Sequence, residues 1–270
     1  MSDSHGNGPR VLSLLEDARE RPEDDTPRLV LADYLEDHGD AERSEFIRLQ
    51  CQLAAGRSPS EDSRRHEMGL RCEQLRGRRG GCWLGPLWNW PTFPMTWHRG
   101  LLSLRLTGPC DLDALEEILP WIDTALFVLN GRGGFRRVAD FLGRSGVNHL
   151  HLDLRSQLRV GAIREALAGL PESRCLRTLS VHRPMGPSHR AGGERSPPEA
   201  VVGEGILASL LGGMPVGRHL THVGSSRPFG VAQNEAIRGF GVEPVVAEDR
   251  LWMHRLPPAS FRATRAASPS

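Results

Sequence analysis

L-x-L-type strand cores recur along the second part of the chain. They fall at Leu104 and Leu106, around Leu126 and Val128, at Leu150 and Leu152, and at Leu179 and Val181, with a weaker one at Leu220 to Val223. Their first members are separated by steps of 22, 24 and 29 residues and then a longer step of 44 to Val223. Self-similarity at such a period constrains the fold before any propensity argument, because each unit is too small to bury its own apolar face and must stack on its neighbours. Between the strands lie segments that read as helices: DLDALEEIL after Asp111, FRRVADFLGRSG from Phe135, VGAIREALAGL from Val160 and GEGILASLLGGM from Gly203. Alternating strand and helix predicts parallel strands with an apolar helix face laid over them.

The first two steps fit the range of leucine-rich repeats. The expected fold class is therefore α/β: a small all-helical N-terminal domain followed by a short, irregular leucine-rich-repeat-like solenoid with parallel strands. The asparagine that usually turns the chain after a repeat strand is mostly missing, although Asn130 follows the second strand. An open α/β sheet with right-handed crossovers remains the alternative. The long step is accounted for by HRPMGPSHRAGGERSPPEA, whose Pro, Gly, Ser and charged residues cannot build a core and read as an exposed insertion at 183–200. NEAIRGFGVEPVVAEDRLW, from Asn234, would add a helix and strand as a terminal cap. The expected organisation is a helical domain over 1–80, a Trp/Pro-rich junction over 81–100, the array over 101–256 and a disordered tail over 257–270.

In the N-terminal part, Val11, Leu12, Leu14 and Leu15 make one helical face. Thr26 followed by Pro27 reads as a helix start, with Leu29, Val30, Ala32, Tyr34 and Leu35 as the buried stripe. Gly39 ends that helix, and Asp40 caps a third that turns Phe46, Ile47, Leu49 and Leu53 inward. A fourth is expected from about Ser60 to Arg76. The run TPRLVLADYLEDHGDAERSEFIRLQCQLA, Thr26 to Ala54, closely resembles the bacterial repeat-companion domain, as do WLGPL at Trp83 to Leu87 and WHRGLLSLRL at Trp97 to Leu106. Tyr34-Leu35-Glu36 and His38 stand where that family often shows tryptophan and arginine. The resemblance covers roughly the first 105 residues and implies architecture, a helical domain accompanying repeats, rather than any activity.

Charge and cysteine usage exclude several classes. The formal net charge is +1, too small for long-range attraction of nucleic acid or anionic lipid. All 34 basic residues are arginine, which fits a GC-rich bacterial genome. The cysteines Cys51, Cys72, Cys82, Cys110 and Cys175 are odd in number and never spaced C-x-x-C, so reduced thiols are expected, with neither a disulfide framework nor a zinc knuckle. The polar start MSDSHGNGPR lacks the apolar run of a signal peptide, and no window approaches a membrane span, so a cytoplasmic location and no membrane partner are expected.

Stacking the strands in register would align their outward positions into a ladder on the concave face. Ser103, Arg105 and Thr107 lead to His149, His151 and Asp153, then Thr178, Ser180 and His182, and finally His222. Arg105, His149, His151, Asp153, Thr178, Ser180, His182 and His222 form the expected partner-binding face, since curved repeat sheets generally bind extended partners. Imidazole and carboxylate also suit a transition metal, so metal binding on this face is one alternative. RNA binding through the run Arg64, Arg65, Arg71, Arg76, Arg78 and Arg79 is another, weakened by the acidic residues among these arginines and by the lack of interleaved aromatics. The acidic residues Asp33, Glu36, Asp37, Asp40 and Glu45 read as caps and ion-pair partners of Arg28, Arg43 and Arg48 rather than as catalytic groups. Trp83, Trp88, Trp90 and Trp97 are expected to seal the first repeat against the helices. No G-x-S-x-G elbow, P-loop, H-E-x-x-H or G-x-G-x-x-G is present. The expectation is a non-enzymatic scaffold or adaptor with no cofactor and an unidentified protein partner, nucleic acid ranking well below protein.

Overall fold

The computed structural model describes residues 8–55, 62–89, 95–107, 112–131, 133–154, 160–182, 220, 222–225, 238 and 243–246. Four helices come first: α1 (Pro9–Glu20), α2 (Thr26–Asp37), α3 (Ala41–Ala54) and α4 (Asp62–Leu84). A 3₁₀ turn at Gly85–Asn89 leads to strand β1 (Met95–His98) and then β2 (Leu101–Leu106). Two further 3₁₀ turns, Asp113–Leu115 and Leu119–Trp121, precede β3 (Ile122–Leu129), α5 (Gly133–Arg144), β4 (His149–Leu154), α6 (Val160–Ala168), β5 (Thr178–His182), β6 (His222–Ser225) and β7 (Glu243–Val246). The protein is thus α/β, with a helical N-terminal region and a mostly parallel sheet whose seven strands lie side by side in chain order. No described helix is long and apolar enough to cross a membrane.

β1 is the antiparallel exception, joined to β2 by the two-residue turn Arg99-Gly100. Both turn residues have positive φ, 50° and 79°, the handedness that matches strand twist in tight hairpins. Gly100 is required twice over, since a Cβ there would also sit 2.7 Å from Ile47 Cγ1. Composition predicts only a Trp/Pro-rich junction over 81–100, whereas its last residues form β1 and the turn. The first expected repeat helix, DLDALEEIL, is likewise not an α-helix. Its N–H groups bond three residues back, from Leu115 to Leu112, Ile118 to Leu115 and Trp121 to Ile118, and Pro120 has no N–H to continue. Leu112, Leu115, Ile118 and Leu119 are nevertheless buried, so the segment covers the sheet as a helix would. The insertion at 183–200, the helix from Gly203 and the tail from 257 lie outside the described residues.

One apolar interior runs behind the sheet. Leu102, Leu104 and Leu106 of β2, Ala125, Phe127 and Leu129 of β3, Leu150, Leu152 and Leu154 of β4 and Leu179 of β5 pack against Phe135, Val138, Phe141 and Leu142 of α5 and Ile163 and Leu167 of α6. The inward residues of β3 are therefore not Leu126 and Val128 but their neighbours. The pairing slips between β2 and β3, where Leu102 faces Ile122 but Ser103 faces Thr124, leaving Asp123 as an extra residue.

α1 and α2 build a second core from Val11, Leu14, Leu15, Leu31, Ala32 and Leu35, joined by Ile47, Cys51, Leu101 and Trp121. α2 is rotated from the expected stripe. Pro27 and Arg28 are buried with Leu31, Ala32 and Leu35, whereas Leu29 and Val30 are 40% and 43% exposed. Nor does Thr26 cap α2, since its N–H donates to Asp24 Oδ1 at 2.9 Å. Asp40 does cap α3, accepting from the Arg43 N–H at 3.2 Å, after Gly39 at φ 89°.

Helices and sheet meet at the beginnings of β3 and β4. Asn148, fully buried, donates from Nδ2 to the Arg19 carbonyl (2.9 Å) and to Asp123 Oδ1 (3.0 Å). Its own N–H donates to the Asp123 carbonyl, and its carbonyl accepts from Arg177 and Thr178. Arg19 donates to the Pro120 carbonyl, and Arg99 to the Pro22 carbonyl at 2.9 Å. Arg43 lies 3.3 Å above the Trp121 ring centroid and 5.9 Å from that of Trp83. Desolvation lowers its pKa to about 9, partly opposed by Asp40.

Two predictions follow from this joint. Asn148→Ala strands buried partners on α1 and β3 and is expected to cost about 1–3 kcal/mol, read by urea unfolding. An unchanged midpoint would refute the linking role. Arg43 has a folded pKa below its unfolded value, so the unfolded chain binds more protons above pH 9. Wild-type stability should therefore rise with pH relative to Arg43→Met, by up to about 1.4 kcal/mol per unit above pH 9. A flat difference between pH 8 and 11 contradicts this.

Candidate functional site

Residue register places most of the expected ladder on one face of the sheet, opposite α5 and α6. One row runs Ser103, Thr124, His149, Thr178, His222, Glu243. The next runs Arg105, Leu126, His151, Ser180, Gly224, Val245, and a third aligns Val128, Asp153 and His182. Neighbouring strands lie about 4.8 Å apart, so the first row carries a polar residue at each such interval, whereas Leu126, Gly224 and Val245 interrupt the second and Val128 the third. His182 and His222 hold their row positions by backbone pairing.

Burial along the rows is uneven. Arg105, His149 and Asp153 are half-buried, whereas Thr178 is 9%, His151 3% and Ser180 1% exposed. Leu126 and Val128, which bring apolar surface to the same face, are each 8% exposed. At the row's beginning, His149 Nε2 lies 3.9 Å from Asp123 Oδ2, and the Thr124 hydroxyl donates to that oxygen at 3.2 Å. Asp123 is thus held by Asn148, Thr124 and the field of Arg19 and Arg28. No sequence motif singles out Asp123 or Asn148. Their signal was a polar residue immediately before each apolar strand, D-T-A-L-F and N-H-L-H-L, where a bulge or a cross-strand tie is needed.

Among the described residues, no three of His, Cys, Asp and Glu converge closely enough to hold a metal ion. The arginine run on α4 is largely engaged. Arg71 forms a two-pronged pair with Glu45 at 2.7 Å on each arm, which lowers the Glu45 pKa and raises that of Arg71. Arg76 bonds Glu73, Arg78 and Arg79 share Glu42, and Arg65 donates to the Leu53 and Ala55 carbonyls. Of the cations expected beside the acidic residues of α2, Arg48 bridges Asp33 and Glu36, each at 2.6 Å. Arg28 instead turns inward to the Asp24 carbonyl, and Arg43 to Trp121. Trp83 and Trp97 meet edge to face and both contact Phe46 of α3, so these rings join helices to β1 rather than cage a ligand. Trp88 lies on Gly80, where any side chain would strike its ring.

Burial also removes two thiols from nucleophilic chemistry: it pushes Cys51 up to about 12 and Cys72 up to about 11. The face therefore offers hydroxyls, imidazoles, a carboxylate and a guanidinium for hydrogen bonding and charge pairing. The chain matches no known family model, no curated protein and no solved structure. At pH 8 a maleimide is expected to modify exposed Cys82 and to leave Cys51 and Cys72 unlabelled, since only the thiolate reacts. Peptide mapping showing equal labelling at all three would contradict the buried placements.

Proposed function

We propose that this protein is a non-enzymatic interaction scaffold: a short α/β solenoid of leucine-rich-repeat type that presents the polar face of β2–β5 to another protein. The observation that carries this reading is the sheet itself, seven strands in chain order with outward residues aligned in continuous rows. A ladder of that kind matches an extended segment, whose polar groups recur at similar spacing. Arg105 on β2 and Asp153 on β4 supply opposite charges two strands and one row apart, both toward the C-terminal ends of their strands, enough to fix the direction of a segment crossing the sheet. The helical region, which resembles the repeat-companion domain over 26–54, would cover the beginning of the array through the second core and its tie to Asn148.

The test is quantitative affinity capture, comparing the wild-type chain with Arg105→Glu and Asp153→Arg and using Arg21→Glu on the α1–α2 loop as control. Both face variants should lose a specific co-purifying protein by about tenfold, the effect of one disrupted charged contact, while Arg21→Glu retains it. Equal recovery by all four proteins, with circular dichroism unchanged, overturns the assignment of this face.

A further inference from the structure

Burial on α2 is inverted at one turn. Arg28 faces inward, its Nη1 donating to the Arg21 carbonyl at 3.3 Å and to the Asp24 carbonyl at 2.8 Å, and that anchor fixes the rotation of the helix. Leu29 and Val30 are left outward, 40% and 43% exposed. On α1, Leu12 is 39% exposed, and among the described residues only Leu70 of α4 joins these three as an exposed large apolar side chain. α1 and α2 pack on each other and are joined by residues 21–25, an αα-hairpin. Helical spacing sets Leu29, Val30, Asp33, Glu36 and Asp37 on one outward face of α2, and Leu12, Glu16 and Glu20 on one outward face of α1; all are exposed. Residues 9–37 hold nine carboxylates against four arginines, two of which, Arg19 and Arg28, are buried. Arg48 of α3 bridges Asp33 and Glu36, whereas Glu16, Glu20 and Asp37 enter no ion pair among the described residues.

We propose that the outward face of the α1–α2 hairpin is a docking surface for a cationic amphipathic helix of another protein. Leu29 and Val30, with Leu12 beside them on α1, are the apolar anchors, and the carboxylates around them select a partner that carries arginine or lysine next to its own apolar stripe. A helix offers such anchors at i, i+3, i+4 and i+7, and it packs its ridges into the grooves of a helical surface. The same negative charge repels nucleic acid and anionic lipid. A second copy of this chain is a poorer match, because its exposed Leu70 stands between Glu67 and Glu73, one turn away on either side, and would bring carboxylates to carboxylates. The surface lies on helices and involves no residue of the sheet, so it stands whether or not the sheet face binds. With both faces occupied, the chain holds two partners at once.

Fluorescence anisotropy on the full chain reads this contact with a labelled synthetic peptide that has leucine at i, i+3 and i+4 spacing and arginine elsewhere. Wild type should bind it, and a peptide of the same composition with its leucines scattered should bind about tenfold more weakly, since only the first aligns its apolar side chains. The double variant Leu29→Ser, Val30→Ser should weaken binding about tenfold. Glu16→Gln, Glu20→Gln and Asp37→Asn together should weaken it about as much at low ionic strength and less at high, because salt screens exposed charge. Leu70→Ser and the sheet variants Arg105→Glu and Asp153→Arg should bind as wild type does. If the double variant does not fold, the charge variant and its salt dependence decide. Absence of binding, equal binding of the scattered peptide, binding undiminished in a folded double variant, or loss in the sheet variants overturns the proposal. Self-association of wild type that the double variant abolishes, read by light scattering, also overturns it by assigning the face to a second copy. Capture through the sheet can fail while this peptide binds, and the peptide can fail while capture succeeds.

Discussion

The structure turns on a polar tie rather than an apolar one. Asn148 bonds the end of α1, the extra residue of β3 and the entry to β5 through one buried side chain and its own backbone. Each of those groups would be costly to bury alone, so the helices can settle on the sheet only in the position that satisfies all of them. The guanidiniums around the joint follow this rule only in part, since the buried Nε atoms of Arg19, Arg28, Arg43 and Arg99 form no hydrogen bond. Arg19, Arg28 and Arg99 are directed at main-chain carbonyls of Pro120, Asp24 and Pro22, and Arg43 at the face of Trp121. Burial favours orientation over raw stability here, because a displaced helix would leave charges without acceptors.

Much of the architecture was legible in the sequence. L-x-L pairs located β2, β4 and β5, since a strand with one apolar face alternates and a helix does not. β3 was found but misread by one position: in IDTALFVL every residue after Thr124 is apolar, so nothing in the pattern distinguishes the inward set Ala125, Phe127, Leu129 from Leu126 and Val128. α2 misled for the opposite reason. Its inward face includes an arginine, and its most apolar pair, Leu29 and Val30, looks outward. A hydrophobicity pattern cannot anticipate a buried cation whose partners are the Arg21 and Asp24 carbonyls of the turn just before its helix.

The candidate face shows the same division between what is local and what is not. Spacing predicted that His149 and Thr178 would be strand neighbours, as would His151 and Ser180, and register makes them so. Spacing carries no information about what lies above a sheet, and the low exposure of His151 and Ser180 came from the folded chain alone. Asp123 and Asn148 were missed because each acts through a tertiary contact, one as the residue left over by a pairing slip and the other as a bond to α1.

The hairpin of β1 and β2 also settles which edge of the sheet is closed. A parallel sheet extends by strands that run the same way as their neighbours. β1 runs the other way, and the Arg99-Gly100 turn that reverses it is bound to the loop before α2. Among the described strands, the β1 edge of the sheet is thereby locked in direction by the helical region, so a strand added parallel to β2–β7 has its matching edge at β7.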